Sequence, residues 1–227
     1  MTPGIARPLA AISWSGGKDC CLALMRAWPQ FDVRAMLTMF DDTGDRSRSH
    51  GLRPAIVAAH AERLRVTSIT ESCTWDTYEE AFARGLQRVS ALGVTHVIFG
   101  DIFEDAHREW TERLCAGAGL TAVQPIWGEP THALVDEFIA RGGVARLVTV
   151  REQYLDASWL GRVLTTESVA ALTALGVDPC GERGEYHTLV TNCPLFTEPL
   201  RVSAGTRVFH GGCWAEDLVP EVPIASV

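Results

Sequence analysis

Residues 9–20 read Leu-Ala-Ala-Ile-Ser-Trp-Ser-Gly-Gly-Lys-Asp-Cys. A short apolar run, Leu9 to Trp14, has the length and composition of a strand buried on both faces. It enters Ser15-Gly16-Gly17 and then a helical pattern that begins at Lys18 and stops before Pro29. Two glycines let the backbone turn sharply and approach a ligand closely. Successive N–H groups at the start of the helix form a concave anion site, to which Ser15 adds a hydroxyl and Lys18 a full positive charge.

Outward from this turn the chain keeps a strand–helix rhythm. Strands are expected at Val33–Phe40, Val66–Ile69, Thr95–Gly100 and Thr121–Ile126. Helices are expected at Arg53–Leu64, Tyr78–Leu92 and Ala106–Ala116, the second closed by Gly93. Repeated units of this kind imply an α/β fold, a Rossmann-like parallel sheet with helices on both faces, whose ligands sit at the carboxyl ends of the strands. After Pro130 the rhythm changes. A helix at Ala133–Arg141, a strand at Ala145–Val150, a helix at Thr166–Leu175 and strand-like runs near Leu189 and Val208 read as a smaller C-terminal α/β domain. Residues 1–130 and 131–227 are the two expected domains.

Composition narrows the function. The chain has 227 residues and a net charge of -8, which argues against a dedicated nucleic-acid binder. No apolar run reaches the roughly 18–20 residues of a membrane span. The N-terminal stretch lacks the pattern of a secretory leader, so a cytoplasmic location is expected. Seven scattered cysteines without a CxxC are not a disulfide framework. Nineteen of the twenty basic residues are arginine, and the single lysine, Lys18, lies in the Gly-Gly-Lys turn. That fits a site needing a compact ammonium rather than a planar fork.

Three further segments lie where a ligand would bind. Ser49-His50-Gly51 follows the second strand, and His50 could contact a nucleotide. Phe99-Gly100-Asp101 follows the fourth, where a carboxylate could hold Mg²⁺ on ATP; Arg108 on the next helix could meet phosphate charge. The segment DPCGERGEYHTLV, residues 178–190, gathers Glu182, Arg183, Glu185, Tyr186, His187 and Thr188 around two glycines. Loops this dense in titratable groups seldom serve packing alone, and Glu185 or His187 could deprotonate an attacking amine. Cys180, His187 and Cys193 lack zinc-finger spacing, and His210 with Cys213 is only a pair.

The turn is neither a Walker A loop, since Asp19 follows the lysine, nor GxGxxG. It resembles the SGGxDS signature of PP-loop ATP pyrophosphatases, with Cys20 in place of the last serine; a packing role is the simpler reading of that thiol. Taken in order, SGGKDC, SHG, GDI, Arg108-Glu109-Trp110, Pro125-Ile126-Trp127, Leu160-Gly161-Arg162 and CGERGEYHTLVTNCPLF resemble the diphthine–ammonia ligase family over nearly the whole chain. The resemblance implies a HUP-type nucleotide-binding domain followed by a small α/β domain. It implies that ATP adenylates a carboxylate, pyrophosphate leaves, and ammonia displaces AMP to form an amide.

On that resemblance Ser13, Ser15, Gly16, Gly17, Lys18, Asp19, Cys20, His50, Gly100 and Asp101 would bind ATP, with Asp19 and Asp101 on Mg²⁺. Arg108, Glu182, Glu185, Tyr186, His187 and Thr188 would face the acceptor, and Lys18, Asp19, Glu185 and His187 would carry the chemistry. The family's acceptor is diphthine, a modified histidine on a translocation elongation factor; a small carboxylate is the alternative, and a homodimer stays open. Two other readings stand beside this one. A tRNA-modifying PP-loop enzyme would call for a cysteine pair and a basic surface. A sensor would bind ATP or AMP without turning it over.

Overall fold

A computed structural model of the chain describes residues 6–221. Leu9–Ser13 (β1), Asp32–Phe40 (β2), Thr67–Ser72 (β3), His96–Ile98 (β4) and Thr121–Val123 (β5) form one parallel sheet in the order β3-β2-β1-β4-β5. Strand order reverses between β1 and β4, which places the binding crevice at their carboxyl ends. Alternation along β1 decides what each face meets. Ala10 and Ile12 pack with helices Lys18–Ala27 (α1) and Pro54–Leu64 (α2), while Ala11 turns to the core shared with Tyr78–Ser90 (α3) and Asp105–Gly117 (α4). Helices therefore cover both faces, as the sequence implies.

Element ends differ from expectation where backbone bonds are diverted. β4 stops at Ile98: Phe99 N–H still reaches the Val123 carbonyl (2.8 Å), and Gly100-Asp101 then bends away. β5 stops at Val123 because the Pro125 carbonyl is taken by Arg26 Nη1 (2.9 Å) rather than by a strand. α2 ends on Arg65 in the left-handed region (φ 56°), a conformation that costs a non-glycine residue free energy.

The C-terminal part is an antiparallel sheet rather than a second βα repeat. Val144–Arg151 (β6), Tyr186–Asn192 (β7), Val202–His210 (β8) and Cys213–Pro220 (β9) lie in the order β7-β6-β9-β8, with helices Thr131–Ala140 (α5) and Thr166–Ala174 (α6). The strand β9 is not anticipated from the sequence: Glu216 and Asp217 interrupt its apolar pattern, because both carboxylates are needed inside for arginines. A capping box from Thr165 and Ser168 starts α6.

One apolar core runs from Ile12 and Leu22 through Phe138 on α5 to Leu147, Leu172 and Leu189 in the second half. Arg26 ties the halves at the linker, bonding Glu129 and Glu137 together. Among the described residues no helix is long and apolar enough to cross a membrane.

Candidate active site

After Ser13 the chain turns through Ser15-Gly16-Gly17 into α1. Gly16 is left-handed (φ 86°), and a Cβ there would lie 2.4 Å from Leu52. A Cβ on Gly17 would lie 2.2 Å from the His50 ring, so glycine is what lets that imidazole rest on the turn. The turn is braced from within. Ser15 Oγ accepts from Gly17 N–H (3.3 Å) and donates to Cys20 Sγ (3.2 Å), whose thiol donates to the Gly17 carbonyl (3.2 Å). Burial raises the Cys20 pKa, so the sulfur stays a neutral thiol closing the turn. Gly17, at the N-cap of α1, has no side chain to cap it, and the helix start is left to partners from elsewhere in the chain.

Lys18 is 3% exposed. Its ammonium donates to Asp19 (2.8 Å) and to the Cys180 carbonyl, and lies 5.2 Å from the centre of the Tyr186 ring. Burial alone would lower its pKa; the Asp19 carboxylate and the other acidic groups around it more than offset that, so Lys18 stays charged.

The second sheet completes the turn. β7 is an edge strand, and its free edge lies on Gly16 to Lys18: Val190 N–H donates to the Gly16 carbonyl (2.9 Å), and Lys18 N–H donates to Thr188 Oγ1 (3.1 Å). His50 Nδ1 lies 2.6 Å from the Thr188 carbonyl. A carbonyl only accepts, so Nδ1 carries the proton and Nε2 keeps its lone pair. Buried His60 shows the reverse tautomer. Trp14 Nε1–H donates to its Nδ1 (3.0 Å), and its Nε2–H donates to the Val190 carbonyl (2.8 Å). Burial, with Lys18 nearby, pulls His50 down to about 4, and burial pulls His60 down to about 4. His187, 4.8 Å from His50 ring to ring, falls to about 3, through burial first and then the neighbouring His50, Lys18 and Arg151.

These groups surround a cleft of about 360 Å³ at the carboxyl ends of β1, β2 and β4. Ser13, Ser15, Lys18, Asp19, Cys20, His50, Gly100, Asp101, Glu182, Tyr186, His187 and Thr188 line it. Gly16 and Gly17 form the turn beneath. Gly100 lets the end of β4 touch α1, since a Cβ there would lie 2.6 Å from Cys20 Cα and N. The opposite wall is aromatic: Tyr78, Phe82 and Trp110, with Trp110 Nε1–H fixed on Glu79 (2.8 Å).

Two candidates from the sequence sit elsewhere. Arg108 pairs with Glu112 (2.9 Å) and lies over Trp127 at 5.1 Å, outside the cleft; an i,i+4 carboxylate on its own helix holds it there. Glu185 is 1% exposed and also off the cleft, its two oxygens accepting Asp178 N–H (3.1 Å) and Arg183 N–H (2.9 Å). It staples the 178–185 loop. Glu182 hangs at the mouth; partial desolvation and then the charge of Asp19 raise its carboxyl. Asp217, which no local signal marks, grips Arg46 (2.6 Å) and Arg53 (2.8 Å) of the loop that presents His50.

The carboxylates bear on a divalent ion. Among the described residues no three metal-ligating side chains converge. Mg²⁺ asks for less, because it is commonly held by one or two carboxylates plus the phosphates of its nucleotide. Asp101 Oδ1 meets His107 Nδ1 (2.9 Å), while its Oδ2 is buried without a partner. Asp101 and Asp19 on one cleft fit such an ion.

The family models agree with this architecture. The diphthamide synthase N-terminal domain matches residues 9–122, and the diphthamide synthase C-terminal domain matches residues 130–217. The chain belongs to the diphthine–ammonia ligase family. A diphthine--ammonia ligase from Rattus norvegicus is 31% identical over 86% of this chain and 83% of its own. One from Schizosaccharomyces pombe is 27% identical over 86% of this chain, which spans only 36% of the length of that relative. A structure described as a predicted subunit of tRNA methyltransferase from Methanocaldococcus jannaschii superimposes with a TM-score of 0.41 at 14% identity, over 82% of this chain and 98% of that one, a likeness too distant to carry function.

Proposed function

We propose that the chain is an ATP-dependent ligase that adenylates a carboxylate, releases pyrophosphate, and lets ammonia displace AMP to form an amide. The observation that carries this reading is Lys18, a buried permanent cation in a Gly-Gly turn at a helix start, on the floor of a cleft at the sheet's switch point. Ser15, Gly16, Gly17 and Lys18 would cradle the pyrophosphate, whose charge grows as the α–β bond breaks. Asp19 and Asp101 would hold Mg²⁺, which when bound neutralises phosphate charge. His50 and Gly100 would border the nucleotide; Glu182, Tyr186 and His187 would face the acceptor.

Neutral His187 or Glu182, which line the cleft where Glu185 does not, would take a proton from the incoming nitrogen. The relatives' name points to diphthine as the acceptor, here carried on a protein, and to ammonia as the nitrogen donor; the cytoplasm is the location expected from the sequence. On this reading residues 1–130 would supply most of the nucleotide site and 131–227 the acceptor side.

The test is pyrophosphate release from Mg-ATP and ammonium, with a diphthine-bearing elongation factor or with a fractionated cell extract, by wild type and Lys18→Ala. Acceptor-dependent release that vanishes in the variant is expected. Tight ATP binding without release under any condition would overturn the ligase in favour of a nucleotide sensor.

A further inference from the structure

Thr188 is 1% exposed, yet it borders the cleft, and its hydroxyl is half used. A threonine hydroxyl has one proton to give and two lone pairs to offer. One lone pair takes the Lys18 N–H of the α1 start (3.1 Å). Among the described residues no carbonyl, carboxylate or ring nitrogen accepts the hydroxyl proton. Nor can the side chain drift, because the Thr188 carbonyl is held by His50 (2.6 Å) and the residue is paired with Leu147 of β6.

We propose that Thr188 is a phosphate-binding residue: its hydroxyl, polarised by the Lys18 amide, donates to a pyrophosphate oxygen of the nucleotide bound at the turn. The inference rests on the reading of that turn as the pyrophosphate site, and it goes further by making the second sheet part of the site. An N–H that bonds a hydroxyl oxygen makes the hydroxyl a better donor, so the helix start reaches one atom beyond its own backbone. It also explains why the edge of β7, rather than a side chain of the first half, covers Gly16 to Lys18. Thr188 supplies the donor that occupation of the Lys18 amide would otherwise subtract, and it is anchored by a sheet instead of a loop.

Binding of Mg-pyrophosphate and of Mg-ATP would be measured by calorimetry for wild type, Thr188→Val and Thr188→Ser, with each unfolding midpoint recorded. Valine keeps the shape and removes the hydroxyl; serine keeps the hydroxyl. Weaker pyrophosphate binding by roughly tenfold or more in the valine variant, with serine within a few-fold of wild type, is expected for a lost hydrogen bond to a charged group. Pyrophosphate bound equally well by a folded valine variant, even one of lowered midpoint, would reduce Thr188 to a packing role and overturn the proposal. Should the valine variant fail to fold, equal weakening in the serine variant would overturn it too. Wild type that binds neither ligand would sink the pyrophosphate site itself, and this inference with it.

Discussion

Glu182 and Glu185 share a loop and a chemistry, and their surroundings separate them. Glu185 is sealed off and saturated by two backbone N–H donors; Glu182 stands at the cleft mouth among other carboxylates. Replacing Glu185 by Gln turns one acceptor into a donor that faces a backbone N–H. Glu185→Gln should therefore lower stability by about 1–3 kcal/mol, the cost of a buried group left unmatched, and leave the pH profile of pyrophosphate release unchanged in shape. Urea unfolding and a pH–rate profile check both. A lost limb in the profile with intact stability would restore Glu185 as the base. Gly100→Ala is the second residue-scale case. Its Cβ meets backbone atoms of Cys20, which cannot rotate away. The start of α1 must shift, costing about 1–3 kcal/mol and weakening ATP binding. An alanine variant with wild-type affinity would mean that β4 yields instead.

At the scale of elements, the loop between β2 and α2 is positioned from a distance. Asp217 on β9 binds Arg46 and Arg53, and hydrogen bonding from Arg53 holds its carboxyl down at about 2. Asp217→Ala should free the loop that carries His50 and raise the KM for ATP several-fold, with a smaller change in kcat. Steady-state kinetics at low and high salt would show it: wild type should drift toward the variant as salt screens the pairs. Identical KM values would leave Asp217 a stability residue only.

The turn, Lys18, His50, Asp101 and the parallel strands of the first sheet can be picked out in the sequence because each is local: an apolar run, two glycines, a strand end. The sequence hides Asp217, His60 and the grip of β7 on the turn because their partners are distant in the chain, 46 residues away for Trp14 and His60 and more than a hundred for the rest. It does not say that Glu185 and Arg108 face away from the cleft, because type and spacing say nothing of which way a side chain turns once a backbone N–H or an i,i+4 carboxylate competes for it.

For the whole molecule, three imidazoles set the acid limit. His50, His60 and His187 are neutral when folded, at about 4, 4 and 3 against an ordinary value of 6.5. Below 6.5 the unfolded chain takes up protons that the folded chain refuses. Their stabilisation is thus complete above 6.5 and is lost as pH falls toward 4, at about 1.4 kcal/mol per pH unit for each ring. His60, 0% exposed and bonded at both nitrogens, cannot be relieved by opening of the cleft alone. The raised Glu182 carboxyl and His107, raised by its hydrogen bond to Asp101, work the other way, but both are exposed. Total stability for such a domain is about 5–15 kcal/mol, so the histidines suffice to unfold it in mild acid. Because one core joins the two halves, they should melt together. Urea unfolding followed by tryptophan fluorescence and by circular dichroism should give coincident transitions, flat in midpoint from pH 8 to about 6.5 and falling steeply by pH 5. A midpoint unchanged at pH 5 would show that the rings are charged in the fold, and separate transitions would show that the core shared by the two halves does not couple them.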